Sequence, residues 1–178
     1  CFLERFETNQ RWAALEYGVI FRETFSLYGM DASAVEGGII SSVVPSVTDT
    51  VKMAAERFTG SRFLAVGPGI KTGLKLAVDN PAQQGSDLVV AAVAAVHDYP
   101  VPQILIDMGT ATTVSVIDKS GAFIGKMILP GVMVSLDALS SRAAQLPKVS
   151  LDPPKKLIGS NTGDSMKSGI LYGSAGAL

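Results

Sequence analysis

Ile104-Leu105-Ile106-Asp107-Met108-Gly109-Thr110-Ala111-Thr112-Thr113-Val114-Ser115-Val116-Ile117-Asp118 sets an apolar run of strand length against a carboxylate, a glycine and several hydroxyls, then resumes in alternating apolar and polar residues. The pattern predicts a strand, a tight turn and a second strand. Glycine lets a backbone approach an anion closely, backbone N–H groups and threonine hydroxyls donate to it, and a carboxylate can hold a cation beside it. The turn therefore suits phosphate, although the same residues also make an ordinary polar turn between strands.

Downstream, Asp118-Lys119-Ser120-Gly121 reads as a turn into Ala122-Phe123-Ile124-Gly125-Lys126-Met127-Ile128, which completes a β-hairpin. Leu129-Pro130-Gly131 is another tight loop. Met133, Leu136, Leu139 and Leu146 share a face of a helix expected to run to Pro147. Ser160-Asn161-Thr162 supplies helix-start residues for a last helix, in which Gly169, Gly173 and Ala177 keep one face small.

Upstream, Tyr17, Ile20, Phe21, Phe25 and Tyr28 recur at helical spacing, with Gly29 placed for a left-handed cap. Gly38 to Val44 has the β-branched density of a buried strand. Ser46 and Asp49 resemble a capping box for a helix whose stripe is Val47, Val51, Ala54 and Phe58, ending at Gly60. Phe63-Leu64-Ala65-Val66 is a further strand. Gly67 to Gly85 is a long irregular passage carrying Lys71 and Lys75, and it leads into Ser86-Asp87 and the alanine-rich run Leu88–Val96, which reads as a buried helix. Alternating strands and helices predict a mostly parallel or mixed sheet with helices packed on it. Tyr99-Pro100-Val101-Pro102 is the best candidate domain boundary.

The chain has 178 residues, 47% of them hydrophobic and 17% charged, enough for a sizeable core. Its net charge of −1, without runs of like charge, lacks the footprint of a nucleic-acid binder. One cysteine permits no internal disulfide, and the longest apolar stretch is about half a membrane span, so a cytoplasmic, non-membrane protein is expected. A single histidine, His97, leaves almost no material for serine–histidine triads or histidine-based zinc sites. Starting at Cys1 and finishing inside a helical pattern, the chain reads as incomplete at both ends.

Taken in order, Ile40-Ser41-Ser42-Val43-Val44-Pro45, Gly67-Pro68-Gly69-Ile70-Lys71-Thr72-Gly73-Leu74, Asp79-Asn80-Pro81, Gly85-Ser86-Asp87, Asp107-Met108-Gly109-Thr110-Ala111, Pro130-Gly131, Leu146-Pro147 and Ile158-Gly159-Ser160-Asn161-Thr162 resemble type III pantothenate kinase, of the acetate and sugar kinase, Hsp70 and actin superfamily. The resemblance implies an α/β protein with a duplicated ribonuclease-H-like fold, mixed sheets flanked by helices, and a homodimer. The first half would be residues 1–100 and the second 101–178. It implies an enzyme that phosphorylates pantothenate with ATP, using magnesium and a monovalent cation, potassium or ammonium, in coenzyme A biosynthesis.

Residue by residue, the resemblance makes Asp87 the general base toward the pantothenate hydroxyl. Gly85, Ser86, Leu88 and Thr162 would bind that substrate with it. Gly109, Thr110 and Ala111 would meet ATP, and Asp107 would hold the cation. Locally, Asp87 also reads as a helix-start aspartate, Asp107 as a strand-end aspartate, Thr110 as a turn residue and Thr162 as an N-cap. Arginine is common in the family where this chain has Leu88, a second glycine where it has Lys126, and an aromatic where it has Val78. The family's first phosphate motif, aspartate-x-glycine-asparagine-threonine, is expected upstream of Cys1. The alternative function is a catalytically weak or inactive, nucleotide-binding regulatory relative of the Bvg accessory factor kind.

Overall fold

The computed structural model describes residues 2–67 and 70–178, so Cys1 and the Pro68-Gly69 pair of the glycine-rich motif lie outside the described residues. Two compact units are present, Cys1–Leu74 with Asn80–Ala94, and Lys75–Asp79 with Ala95–Leu178.

The first unit contains α1 (Ala14–Leu27), β1 (Gly38–Ser41), α2 (Pro45–Thr59), β2 (Phe63–Val66) and the amino-terminal part of α3 (Ser86–Asp98). β1 and β2 pair in parallel, with Gly38 opposite Phe63 and Ser41 opposite Val66, and α2 is the crossover that parallel pairing demands. Tyr17, Val47 and Ala54 form the core, with Trp12, Phe21 and Val51 packed around them. The buried Tyr17 phenol donates to the Asn9 carbonyl at 2.9 Å and accepts the Asn9 N–H at 3.1 Å, so its polar end is satisfied. The predicted stripe on α2 is thus the one that packs.

The start of α2 differs from expectation. It begins at Pro45 with Val44 as N-cap and no side-chain cap, rather than at a capping box on Ser46. Proline at the first helical position needs no N–H partner and has its φ already set, so the helix starts as soon as proline allows. Gly60 closes it at φ +75°, and Gly29 after α1 has the left-handed conformation expected there, φ +60°.

The second unit is built on β3 (Gln103–Met108), β4 (Ala111–Ile117) and β5 (Phe123–Pro130), antiparallel in that order, with α4 (Val132–Arg142) and α5 (Thr162–Ala177). The β4–β5 turn forms as predicted. The Asp118 carboxylate accepts the Ser120 hydroxyl at 2.7 Å and the N–H groups of Ser120 and Ala122 at 2.8 and 3.0 Å. These bonds, the Ser120 hydroxyl foremost, hold the Asp118 carboxyl below its ordinary range, and Lys75 adds to the effect.

One expectation fails in this unit. α4 ends at Arg142 instead of continuing to Pro147. Ser140 and Ser141 turn their hydroxyls back onto the Leu136 and Ala138 carbonyls, and Ser140 also donates to the Pro147 carbonyl at 3.2 Å, which competes with helix continuation. Leu136 is the fully buried residue of the predicted stripe, while Met133 and Leu139 are exposed. The passage from Gly67 to Gly85 is irregular among its described residues, as expected, apart from an isolated bridge at Leu76 and a short 3-10 turn at Pro81–Gln83. Phe123 donates its N–H to the Lys75 carbonyl and accepts from the Ala77 N–H, at 2.9 and 2.8 Å, which stitches residues 75–77 onto the start of β5.

The architecture is mixed α/β, with a parallel and an antiparallel sheet flanked by helices. Among the described residues no helix is long and apolar enough to cross a membrane.

Candidate functional site

In the first unit, the carboxyl end of β1 meets the start of α3. The Ser86 hydroxyl donates to the Ser42 carbonyl at 2.9 Å, and the Ser41 hydroxyl donates to Ser86 Oγ at 3.2 Å. Those bonds fix where α3 begins. Asp87 follows in its first turn, exposed, with Oδ1 accepting the Leu88 N–H at 2.8 Å. A helix N-terminus favours a negative charge there.

Gly85 makes room for this carboxylate. A methyl group at position 85 would sit 2.4 Å from Asp87 Oδ1. Gly85, Ser86 and Asp87 therefore form one surface feature. Leu88 is buried, 9% exposed, and its backbone N–H is the donor to Asp87 Oδ1.

In the second unit, Asp107 stands opposite Thr113 and Met108 opposite Thr112, with Gly109 and Thr110 closing the connection from β3 to β4. Asp107, Gly109 and Thr110 are exposed and Ala111 is half-buried. The Gly109 N–H donates to the Ala111 carbonyl at 3.0 Å, and the Gly131 N–H donates to the Thr110 carbonyl at 3.0 Å. Gly131 is the N-cap of α4 and is buried against this turn. A Cβ there would lie 2.2 Å from the Gly109 carbonyl oxygen and 2.5 Å from that of Thr110. Only glycine permits that approach. Gly131 buttresses the turn; Leu129 and Pro130, expected with it in a tight loop, instead end β5.

Beside the turn is an apolar groove of about 250 Å³, between Met108, Thr112 and Leu129 of the sheet and Gly169, Gly173 and Ala177 of α5. The small face predicted on α5 is one wall of it.

Thr162 is the first residue of α5 and is exposed. The cap is its neighbour. Asn161 Oδ1 accepts the Asp164 N–H at 2.8 Å, and its Nδ2 donates to the Asp164 carboxylate at 2.9 Å. The N-cap role that local sequence offered for Thr162 thus falls to Asn161.

Other candidates have local explanations. Exposed His97 sits at the end of α3, 2.7 Å from the Asp98 carboxylate. Lys75 lies near Asp118. Among the described residues no three His, Cys, Asp or Glu side chains converge as they would to hold a metal ion.

These features define a mixed α/β protein with an exposed carboxylate at the start of α3 and another near the end of β3, beside a turn that Gly131 packs against. The chain belongs to the type III pantothenate kinase family, whose sequence model matches residues 3–178. A Campylobacter jejuni crystal structure described as a Baf family transcriptional activator is similar at 21% identity and a TM-score of 0.40, over 65% of this chain and 60% of that one. The match thus spans less than two thirds of that protein.

Proposed function

We propose that this chain is part of an ATP-dependent kinase that converts pantothenate to 4'-phosphopantothenate, the first step of coenzyme A biosynthesis, acting as a cytoplasmic homodimer. The observation that carries the reading is the family match across residues 3–178, which includes every proposed site residue. The duplicated ribonuclease-H-like fold, with halves at 1–100 and 101–178, belongs to the same proposal.

In this reading Asp87 accepts the proton of the pantothenate hydroxyl as its oxygen bonds to the γ-phosphorus of ATP, and the bond from that phosphorus to the bridging oxygen breaks to release ADP. Phosphoryl transfer depends on alignment and charge neutralisation more than on a strong base, so an exposed carboxylate suffices. Gly85 and Ser86 position it, and Thr162 contacts the same substrate. Gly109, Thr110 and Ala111 receive the phosphates, with the nucleoside in the neighbouring groove. Asp107 would hold potassium or ammonium, which would offset phosphate charge. Magnesium would arrive on the nucleotide's own phosphates.

The test is turnover by the full-length natural protein. With pantothenate, ATP, magnesium and potassium it should release ADP, and Asp87→Asn should lower kcat by about 10²–10⁴-fold, the usual worth of a positioned general base. No pantothenate-dependent ADP release would defeat the proposal. One observation favours a second reading, a weak or inactive regulatory relative. Leu88 is buried where the family resemblance expects an arginine, so no cation at that position meets the pantothenate carboxylate. Calorimetry separates the two: a purely regulatory relative need not bind pantothenate.

A further inference from the structure

The segment between α4 and α5 leads into Thr162, the first residue of α5, and has no regular structure over residues 143–161 apart from short turns. It is nevertheless tied to α5. Lys167 donates to both oxygens of Asp152, at 2.8 and 2.7 Å, with the lysine side chain 15% exposed and the aspartate 57%. The Ser150 hydroxyl donates to the same carboxylate. One helical position further on, the buried Ser168 donates its hydroxyl to the Leu157 carbonyl. Gly159 then lies directly on the first turn of α5, where a Cβ would come 2.4 Å from the Ser165 nitrogen, and the Ser165 hydroxyl donates to the Asn161 carbonyl at 2.8 Å.

These contacts grade along the chain, an ion pair at 152, a hydroxyl bond at 157, glycine packing at 159 and the cap at 161. The chain is therefore registered against α5 before it reaches Thr162. The Lys167 ammonium grips both carboxylate oxygens, and its side chain is packed along most of its length, so fewer rotamers are lost in making the pair than for two solvated side chains. The other tie of this stretch to α5 is Val149, whose Cγ1 lies 3.6 Å from where a Cβ on Gly163 would stand, whereas Ser150 bonds Asp152 from within the same segment.

We infer that Lys167 and Asp152 are positioning residues for the substrate side of the site, clamping the 149–161 strap onto α5 so that Thr162 is presented in one place. The inference rests on the reading of Thr162 as a pantothenate contact. It adds that a contact remote from Thr162, on the far side of a full helical turn, sets how well the substrate is held.

Lys167→Met and Asp152→Asn in the full-length protein test it. Each should raise KM for pantothenate roughly three- to tenfold with kcat and KM for ATP within about twofold, the signature of lost ground-state positioning, and Lys167→Arg should recover most of the loss. Hydrogen exchange should quicken at amides 158–165 and stay unchanged in β3–β5. An unaltered KM for pantothenate with unaltered exchange would overturn the clamp. So would a loss of kcat and melting temperature together that Arg fails to rescue, because that is a general structural defect. Should the wild-type protein show no pantothenate turnover, the proposed function falls and the substrate half of this inference with it, while the exchange data alone decide whether the ion pair orders the strap.

Discussion

The two carboxylate-bearing edges use glycine in opposite ways. At Asp87 the absent methyl group of Gly85 leaves space for a side chain, whose oxygen would lie 2.4 Å from it. At the Asp107 turn the absent methyl group of Gly131 leaves space for backbone, with two carbonyl oxygens inside 2.6 Å. A carboxylate can rotate out of the way and a hydrogen-bonded turn cannot. Substitution at the first glycine should therefore damage chemistry while sparing the fold, and substitution at the second should damage the fold first.

The sharpest way to break this contrast is Gly131→Ala. It should cost about 2–3 kcal/mol in denaturant unfolding, the scale of overpacking against atoms that cannot move. A variant as stable as wild type would show that the turn has slack. Gly85→Ala should change stability by less than about 1 kcal/mol, while a displacement of Asp87 should lower kcat about tenfold. Equal stability losses at the two glycines would erase the distinction. The smallest effect concerns the strap. The Lys167 ammonium, and then the Ser150 hydroxyl, hold the Asp152 carboxyl down at about 2. A depressed folded-state value means that the stabilisation is present above the unfolded aspartate range, about 3.9, and disappears as pH falls from there through about 2. Unfolding midpoints of wild type and Asp152→Asn should accordingly differ at pH 5 and converge near pH 2. A gap that persists at the acid end would assign the difference to something other than ionisation.

Much of this contrast was legible in the sequence, because it lies in short-range pattern. The apolar run into Asp107-Met108-Gly109-Thr110 announced the β3–β4 connection, Asp118 to Gly121 announced the next turn, and the Val47 and Ala54 stripe announced the packed face of α2. Contacts between distant positions left less trace. Leu139 and Leu146 keep helical spacing, yet α4 ends between them at Arg142, and the Ser140 hydroxyl reaches the Pro147 carbonyl across the turn that follows. Nothing local in Lys75-Leu76-Ala77 indicates a pairing with Phe123, since the ladder depends on two backbones meeting across more than forty residues. Ser46 looked like a cap because its partner Asp49 was correctly spaced, and proline one residue earlier pre-empted it. At the candidate site, Asp87 and Asp107 gained their roles only through the family resemblance, and the close approaches at Gly85 and Gly131, the burial of Leu88, the capping by Asn161 and the Lys167–Asp152 ion pair required the folded chain.

The stitch between residues 75–77 and Phe123 bears on how the molecule can be dissected. A cut at the Tyr99–Pro102 junction, attractive because two prolines lie there, would place one strand of that ladder in each fragment. Fragments made this way would each bear an orphaned seam, and adding one to the other in solution should restore what covalent continuity normally provides.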